Sequence, residues 1–275
     1  MNTSCADAAA SAALVSPYNS GNLLLSPVDL ERILTECGVD LVAHPVRDIN
    51  VYRKALTHKS YCTRKNENFV QANAGHPPDC LPLQEDSYER HEFLGDAVLN
   101  LTVADYLSMR YPEENEGFLT RMRTRLVNGN MLADLCAKTE LPRFVIMSRQ
   151  VEDNDGRRNK KILEDCFEAF LGALFCDAGF EVARGWLVGF LEQNVDFPEL
   201  VKHHNNYKDS LSKYFQHALG CMPRFVEVQQ QPGSDVCVCV KDREGVVVGR
   251  GSGATRKIAE VEASRMALEY YGQPT

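Results

Sequence analysis

Glu89, Glu92 and Asp96 recur at helical spacing in the stretch YERHEFLGDAVLNLT, residues 88–102. At ~3.6 residues per turn such spacing sets all three on one narrow arc. The stretch has no proline and a single glycine. Phe93, Leu94, Ala97, Val98, Leu99, Leu101 and Val103 cover most of the remaining circumference, so it reads as a buried helix. Three carboxylates on such a helix cost free energy unless a cation neutralises them or they face water at a helix end. A solvated face normally mixes Lys or Arg among its acids, and here only Arg90 and His91 intervene. Oxygen-only donors favour a hard divalent cation, Mg²⁺ or Mn²⁺, over zinc.

A second acidic stretch, ILEDCFEAFLGALFCDAG, embeds Glu164, Asp165 and Glu168 in a strongly apolar helix. Asp165 and Glu168 share a face. Lys160 and Lys161 at its start are candidates for phosphate contact or simply solvated charges. A third feature lies near the C-terminus, where Thr255-Arg256-Lys257 precede a helical pattern. Backbone N–H groups and basic side chains at a helix start suit a phosphate, although solvated charges give the same pattern.

The elements that must hold these residues follow in order. Residues 1–25 are Ala/Ser-rich and read as a loose tail. Ser26-Pro27 opens a helix, and Asp48 opens another. His58, in ALTHKSY, reads as a buried, hydrogen-bonded histidine rather than a site residue. Residues 62–87 have no period and read as a long surface loop. Residues from Glu113 to Thr139 read as a helical pair, with Arg121, Arg123 and Arg125 too spread to share one face. Residues 150–161 read as a polar loop, and Val182 to Val195 as the last helix of a domain spanning 26–197. A linker covers 198–205. From 206 to 273 the period changes: a helix from Tyr207 to Leu219, strands at Phe225–Val228 and Val236–Val240, a third strand starting between Gly245 and Gly249, then a Gly-rich turn into a helix. That order, α-β-β-β-α, is a small α+β unit behind a mainly α domain.

Composition bounds the function. The chain has 275 residues and a net charge of −8, which argues against a generic nucleic-acid binder. The charge is uneven. Residues 205–275 hold nine Lys/Arg and eight Asp/Glu, whereas residues 1–204 hold twenty-one and thirty. A local basic patch or a bound metal can still take phosphates. Ten cysteines without C-x-x-C pairs predict reduced thiols in an intracellular, cytoplasmic setting. Cys237 and Cys239 read as small apolar strand residues. No basic n-region marks a secretory signal, and no apolar run approaches the ~18–20 residues of a membrane span.

HEFLGDAVL, preceded by Glu89-Arg90, resembles the signature of the ribonuclease III family. The resemblance continues through ALTHKSY, RTRLVNGNMLADL and ILEDCFEAFLGAL, and the C-terminal unit resembles a double-stranded RNA-binding domain. The architecture is similar to the compact bacterial-type enzymes, one RNase III nuclease domain and one binding domain; the 62–87 insertion and the tail would suit a large DNA virus. The resemblance implies a Mg²⁺-dependent endoribonuclease, with Mn²⁺ able to substitute, that cuts double-stranded RNA as a homodimer. Products would carry 5′ phosphates and short 3′ overhangs. It implies metal ligands at Glu92, Asp165 and Glu168, a catalytic pair Asp96 and Glu168, and supporting acids Glu89 and Glu116, the last from the dimer side. RNA contacts are expected at Thr255, Arg256, Lys257, Lys208 and Lys213. An apolar surface around Phe93, Leu94 and Val98 is expected to pair with a second copy.

The chain departs from the family pattern in places. His91 stands where an apolar residue is usual, and Glu164 where Ala is. Ser212-Lys213 replaces a Gln-Glu pair that commonly touches RNA, the loop QQPGSD lacks a His that enters the minor groove, and Glu260 replaces a frequent third Lys. Weaker RNA binding by this domain is therefore expected. The competing function is a non-catalytic protein that binds or sequesters double-stranded RNA on the same fold. The presence of all five acids expected on the two motif helices, Glu89, Glu92, Asp96, Asp165 and Glu168, favours catalysis.

Overall fold

The chain divides into two units between Asp196 and Phe197. The computed structural model describes residues 16–63, 77–202, 207–228 and 235–273. In the first unit, α1 (Pro27–Thr35) opens on Ser26, whose hydroxyl accepts the Asp29 N–H, with Pro27 in the first position. Asp48 caps α2 (Ile49–Ala55) in the same way. Next comes α3 (Glu89–Arg110), 22 residues long, which runs well past Thr102 and stops beside Tyr111-Pro112. Asn115 and Asn128 cap the expected helical pair, α4 (Glu116–Leu126) and α5 (Gly129–Ala137). After α6 (Arg149–Asp153), Asn159 caps α7 (Lys160–Ala178), and α8 (Phe180–Asn194) follows.

The first unit is built on the pairing of α3 with α7, with α2, α5 and α8 packed around α7. Thirteen of the 19 residues of α7 are buried, so it is the axis of this unit. Beside it, Trp186 of α8 stacks on Phe190 at 5.5 Å and meets Phe170 at 5.2 Å. The Trp186 indole N–H donates to the Ile33 carbonyl, satisfying the one polar group of that ring. At the far end of α7, buried Asp177 accepts the Tyr52 hydroxyl and the Asp48 N–H, an anchoring role for an acid in a motif otherwise rich in candidate ligands.

Three expectations need correction, while the 62–87 stretch is a loop in its described residues. Residues 16–25 are not loose: Leu25 is buried, and the buried amides of Asn19 and Asn22 donate to the Met147 carbonyl at 3.1 and 2.9 Å. Short polar side chains there replace missing backbone partners, a signal that composition hides. The 62–87 loop is tied at its base, where Thr63 N–H donates to Gln84 O and Gln84 N–H to Tyr61 O; residues 64–76 lie outside the described residues. The 150–161 loop contains α6 and a 3₁₀ turn, and its Arg157 donates to the carbonyls of Pro142, Arg143 and Val145. The 198–205 linker begins as helix, α9 (Phe197–Lys202), with Phe197 buried.

In the second unit, α10 (Tyr207–Tyr214) widens into a π turn at Phe215–Leu219, shorter as α-helix than the pattern implied. Three antiparallel strands follow in order: β1 (Arg224–Val228), β2 (Val236–Lys241) and β3 (Val247–Gly253). Then α11 (Arg256–Tyr270) packs on the sheet. The expected Gly-rich turn is in fact strand β3. Gly249, Gly251 and Gly253 alternate onto one face, where an added Cβ would collide with Ala263, Ala259 or Ile258 of α11. Glycine on the strand meets alanine on the helix, and Ala259, Ala263 and Ala267 are fully buried. The α-β-β-β-α order stands. Cys239 is buried and Cys237 half-buried in β2. No helix among the described residues is long and apolar enough to cross a membrane.

Candidate metal centre

The close crossing of α3 and α7 builds the site. A Cβ at Gly95 would overlap the Glu168 carbonyl, and one at Gly172 would overlap the His91 carbonyl. Without side chains at these two positions the backbones come together, and the acids one turn away meet across the gap. Glu92 of α3, with Asp165 and Glu168 of α7, each offers a carboxylate oxygen, all within 4.8 Å of one another. Asp165 and Glu168 are buried and Glu92 is half-buried.

Electrostatics set this trio apart from ordinary surface acids. Burial, followed by the charges of Asp96 and Glu164, pushes the Glu168 carboxyl up to about 8. Burial and the neighbouring Asp165 raise Glu92 as well. Such oxygens are under-neutralised and suit a hard cation, which takes carboxylate oxygens without needing a fourth protein donor. Partial compensation comes from Lys161, whose ammonium lies 2.8 Å from Asp165 Oδ1 and 3.4 Å from Glu164 Oε2. Lys161 is itself held above the ordinary lysine range, chiefly by Asp165. Thus this lysine, although exposed, is engaged by the acids rather than left as a free phosphate donor. Tyr88, just before α3, donates its hydroxyl to Asp165 Oδ2 at 3.1 Å.

The other expected acids stand apart from the trio. Glu89 is exposed and paired with Lys59 at 3.2 Å. Asp96 is exposed and accepts the Asn100 amide at 2.8 Å, yet it is close enough to raise Glu168. Hence the arc of Glu89, Glu92 and Asp96 does not converge as a unit; only Glu92 turns to α7. Glu116 begins α4. Its carboxylate accepts the Thr120 hydroxyl at 2.8 Å and lines a shallow groove with Arg123 and Leu107. His58 is half-buried, with Nδ1 2.8 Å from the Ser60 hydroxyl and its ring edge-on to Tyr88.

A cleft of about 650 Å³ opens beside the trio, lined by Glu92 and Asp165 and by His58, Lys59, Asn159 and Lys161. It joins acids that can hold a cation to donors that can hold a phosphate. Sequence reasoning missed Tyr88, because an aromatic residue before a helix looks like ordinary packing. It also missed Lys59, whose only sequence signal is a basic residue next to His58.

In the second unit, the Thr255 hydroxyl accepts the Ile258 N–H and so caps α11. Arg256 is paired with Glu260 at 2.9 Å, Lys208 with Glu260 at 2.5 Å, and Lys213 with Asp209 at 2.8 Å. Lys257 is exposed and makes no ion pair among the described residues. Residues 230–234 of the QQPGSD loop lie outside the described residues.

Comparisons with known proteins agree with this architecture. The profile for ribonuclease-III-like proteins matches residues 48–193, and that for the double-stranded RNA binding motif matches residues 207–271. The ribonuclease 3 of Borreliella afzelii is 32% identical over 224 residues, covering 81% of this chain and 85% of that protein. A protein of Paramecium bursaria Chlorella virus 1 is 36% identical over 235 residues, covering 85% of this chain and 78% of the relative. A protein of Acanthamoeba polyphaga mimivirus is 28% identical over 262 residues; the match takes in 94% of this chain and only 48% of that relative. With a nuclease profile over more than half its length and a binding motif behind it, this chain belongs to the ribonuclease III family of double-stranded RNA endonucleases.

Proposed function

We propose that this protein hydrolyses phosphodiester bonds of double-stranded RNA in a Mg²⁺-dependent reaction, with Mn²⁺ able to substitute. Products would be 5′-phosphate ends with short 3′ overhangs. The observation that carries the proposal is the trio Glu92, Asp165 and Glu168, brought within 4.8 Å beside an open cleft. A hard divalent cation bound by these oxygens supplies Lewis-acid stabilisation of the charge developing on the phosphoryl group. The chain's own residues do the rest. Tyr88 orients Asp165, Lys161 balances its charge, and Asp96 biases the protonation of Glu168. Lys59, on the cleft wall, receives the RNA backbone.

The substrate is recognised by A-form shape rather than by base sequence. Lys208, Lys213, Arg256 and Lys257 of the second unit contact phosphates, which position the protein without reading bases. A homodimer then sets two centres on opposite strands. Its support is the outer face of α3, where Phe93 is 82% exposed and Leu101 58% exposed. Val98, expected in that surface, is instead buried inside the unit. The protein acts in the cytoplasm, consistent with the nine described cysteines, all of which are free thiols.

The deciding experiment is incubation of the purified protein with a long RNA duplex, with and without Mg²⁺. Cleavage only with the metal supports the proposal. Binding without cleavage under both conditions would favour a sequestering protein on this fold.

A further inference from the structure

One carboxylate in the second unit sits where phosphate-binding cations converge. Glu260 lies one turn into α11 with its side chain only 12% exposed. Its Oε2 accepts from the Lys208 ammonium of α10 at 2.5 Å, and its Oε1 accepts from Arg256 Nε at 2.9 Å. Each oxygen thus takes one cation, a charge-assisted geometry that a phosphate would use equally well. Hydrogen bonds from Lys208 and Arg256 lower the Glu260 carboxyl from its ordinary range. The Arg256 guanidinium also lies 3.7 Å from Glu227 of β1, and the Lys208 ammonium lies 4.9 Å from the centre of the Phe225 ring. The cations remain reachable from solvent, since Lys208 is 46% and Arg256 60% exposed. The carboxylate is recessed between them.

We propose that Glu260 sets the duplex affinity of this domain: it ties Lys208 to Arg256, cancels one of their two charges, and competes with RNA phosphate for the same donors. Two cations that would otherwise each neutralise a phosphate act as little more than one. Lys257 is left as the unpaired cation of the cluster among the described residues. Fewer phosphates neutralised means fewer counterions released, hence a shallower dependence on salt. If the ion pairs were only braces between α10 and α11, removing the carboxylate would loosen the domain and weaken binding. Competition predicts the reverse.

The inference rests on duplex binding by the second unit, and the experiment separates the two. Binding of the full chain to a long RNA duplex is titrated in EDTA, which withholds the metal, from low to physiological salt. The wild type is compared with Glu260→Gln, Lys208→Gln and the double variant. Glu260→Gln is expected to bind about 5- to 10-fold more tightly at physiological salt, with a salt slope steeper by about one. Lys208→Gln should cost more affinity in the Glu260→Gln background, where it erases most of the gain, than in the wild type, a non-additivity the cycle measures directly. Equal or weaker binding by Glu260→Gln at unchanged melting temperature overturns the inference and leaves duplex binding standing. Should Glu260→Gln lower the melting temperature, the cycle decides: a loss of affinity from Lys208→Gln as large in the wild type as in the Glu260→Gln background overturns the inference. No duplex binding by wild type or variant at low salt overturns both.

Discussion

Gly95 and Glu168 touch backbone to backbone: a Cβ at Gly95 would occupy the space of the Glu168 carbonyl oxygen. The same contact that admits no side chain at Gly95 brings Glu92 to Asp165 and Glu168. Gly95→Ala should therefore damage stability and the metal centre together. A cost of about 1–3 kcal/mol is expected, in the range of overpacked cores. Gly185, on the exposed side of α8, has nothing within 4 Å of an added Cβ, so Gly185→Ala should be neutral or slightly stabilising. Paired thermal melts of the two variants check this; equal losses would show that the crossing tolerates a methyl group.

Glu168→Gln should abolish cleavage and leave duplex binding intact. The amide keeps the size and loses the charge that holds a hard cation. Near wild-type cutting in saturating Mg²⁺ would mean that the metal centre is wrongly assigned.

The same residue gives a pH dependence. In the metal-free protein burial raises the Glu168 carboxyl from about 4.5 to about 8, so it is protonated when folded at neutral pH and ionised when unfolded. Its contribution to stability is therefore full below about 4.5 and declines as pH rises, levelling above about 8. A cation must displace that proton, so the gain in melting temperature on adding Mg²⁺ should grow between pH 6 and 8.5. A gain independent of pH would exclude Glu168 as a ligand.

The exposed outer face of α3 predicts the effect of Phe93→Asp. Because Phe93 is 82% exposed, the change should spare folding of the unit while breaking the proposed C₂ pairing. Sedimentation should shift from a dimer to the 30.8 kDa monomer, and cleavage should fall with it. If the wild type already sediments as that monomer at micromolar concentration, the dimer is refuted.

Lys257→Glu tests the phosphate contact with least structural disturbance, since Lys257 makes no ion pair among the described residues. Arg256→Glu would instead set a new carboxylate against Glu260 and Glu227. Lys257→Glu should weaken binding to any duplex and flatten its salt slope by about one or more, while long duplexes are still cut at low salt. An unchanged slope would remove Lys257 from the interface.

Much of this molecule is local in its sequence. Ser26-Pro27, Asp48, Asn115 and Asn159 start helices because a short polar side chain or a fixed φ meets the free N–H groups of the first turn. The acids of α3 and α7 were visible through their spacing, and so were the two domains through their change of period. Tertiary structure decided which acids meet. Helical spacing sets Glu89, Glu92 and Asp96 on one arc, but only the partner helix selects Glu92 and leaves the others to Lys59 and Asn100. Likewise GRGSG looks like a turn until Ala259 and Ala263 lie against it and make it a strand. Residues 16–25 look loose until Met147 supplies acceptors for their amides. Periodicity reports how a residue sits on its own element; proximity across elements comes from packing, where a missing Cβ or a buried carbonyl chooses the partner.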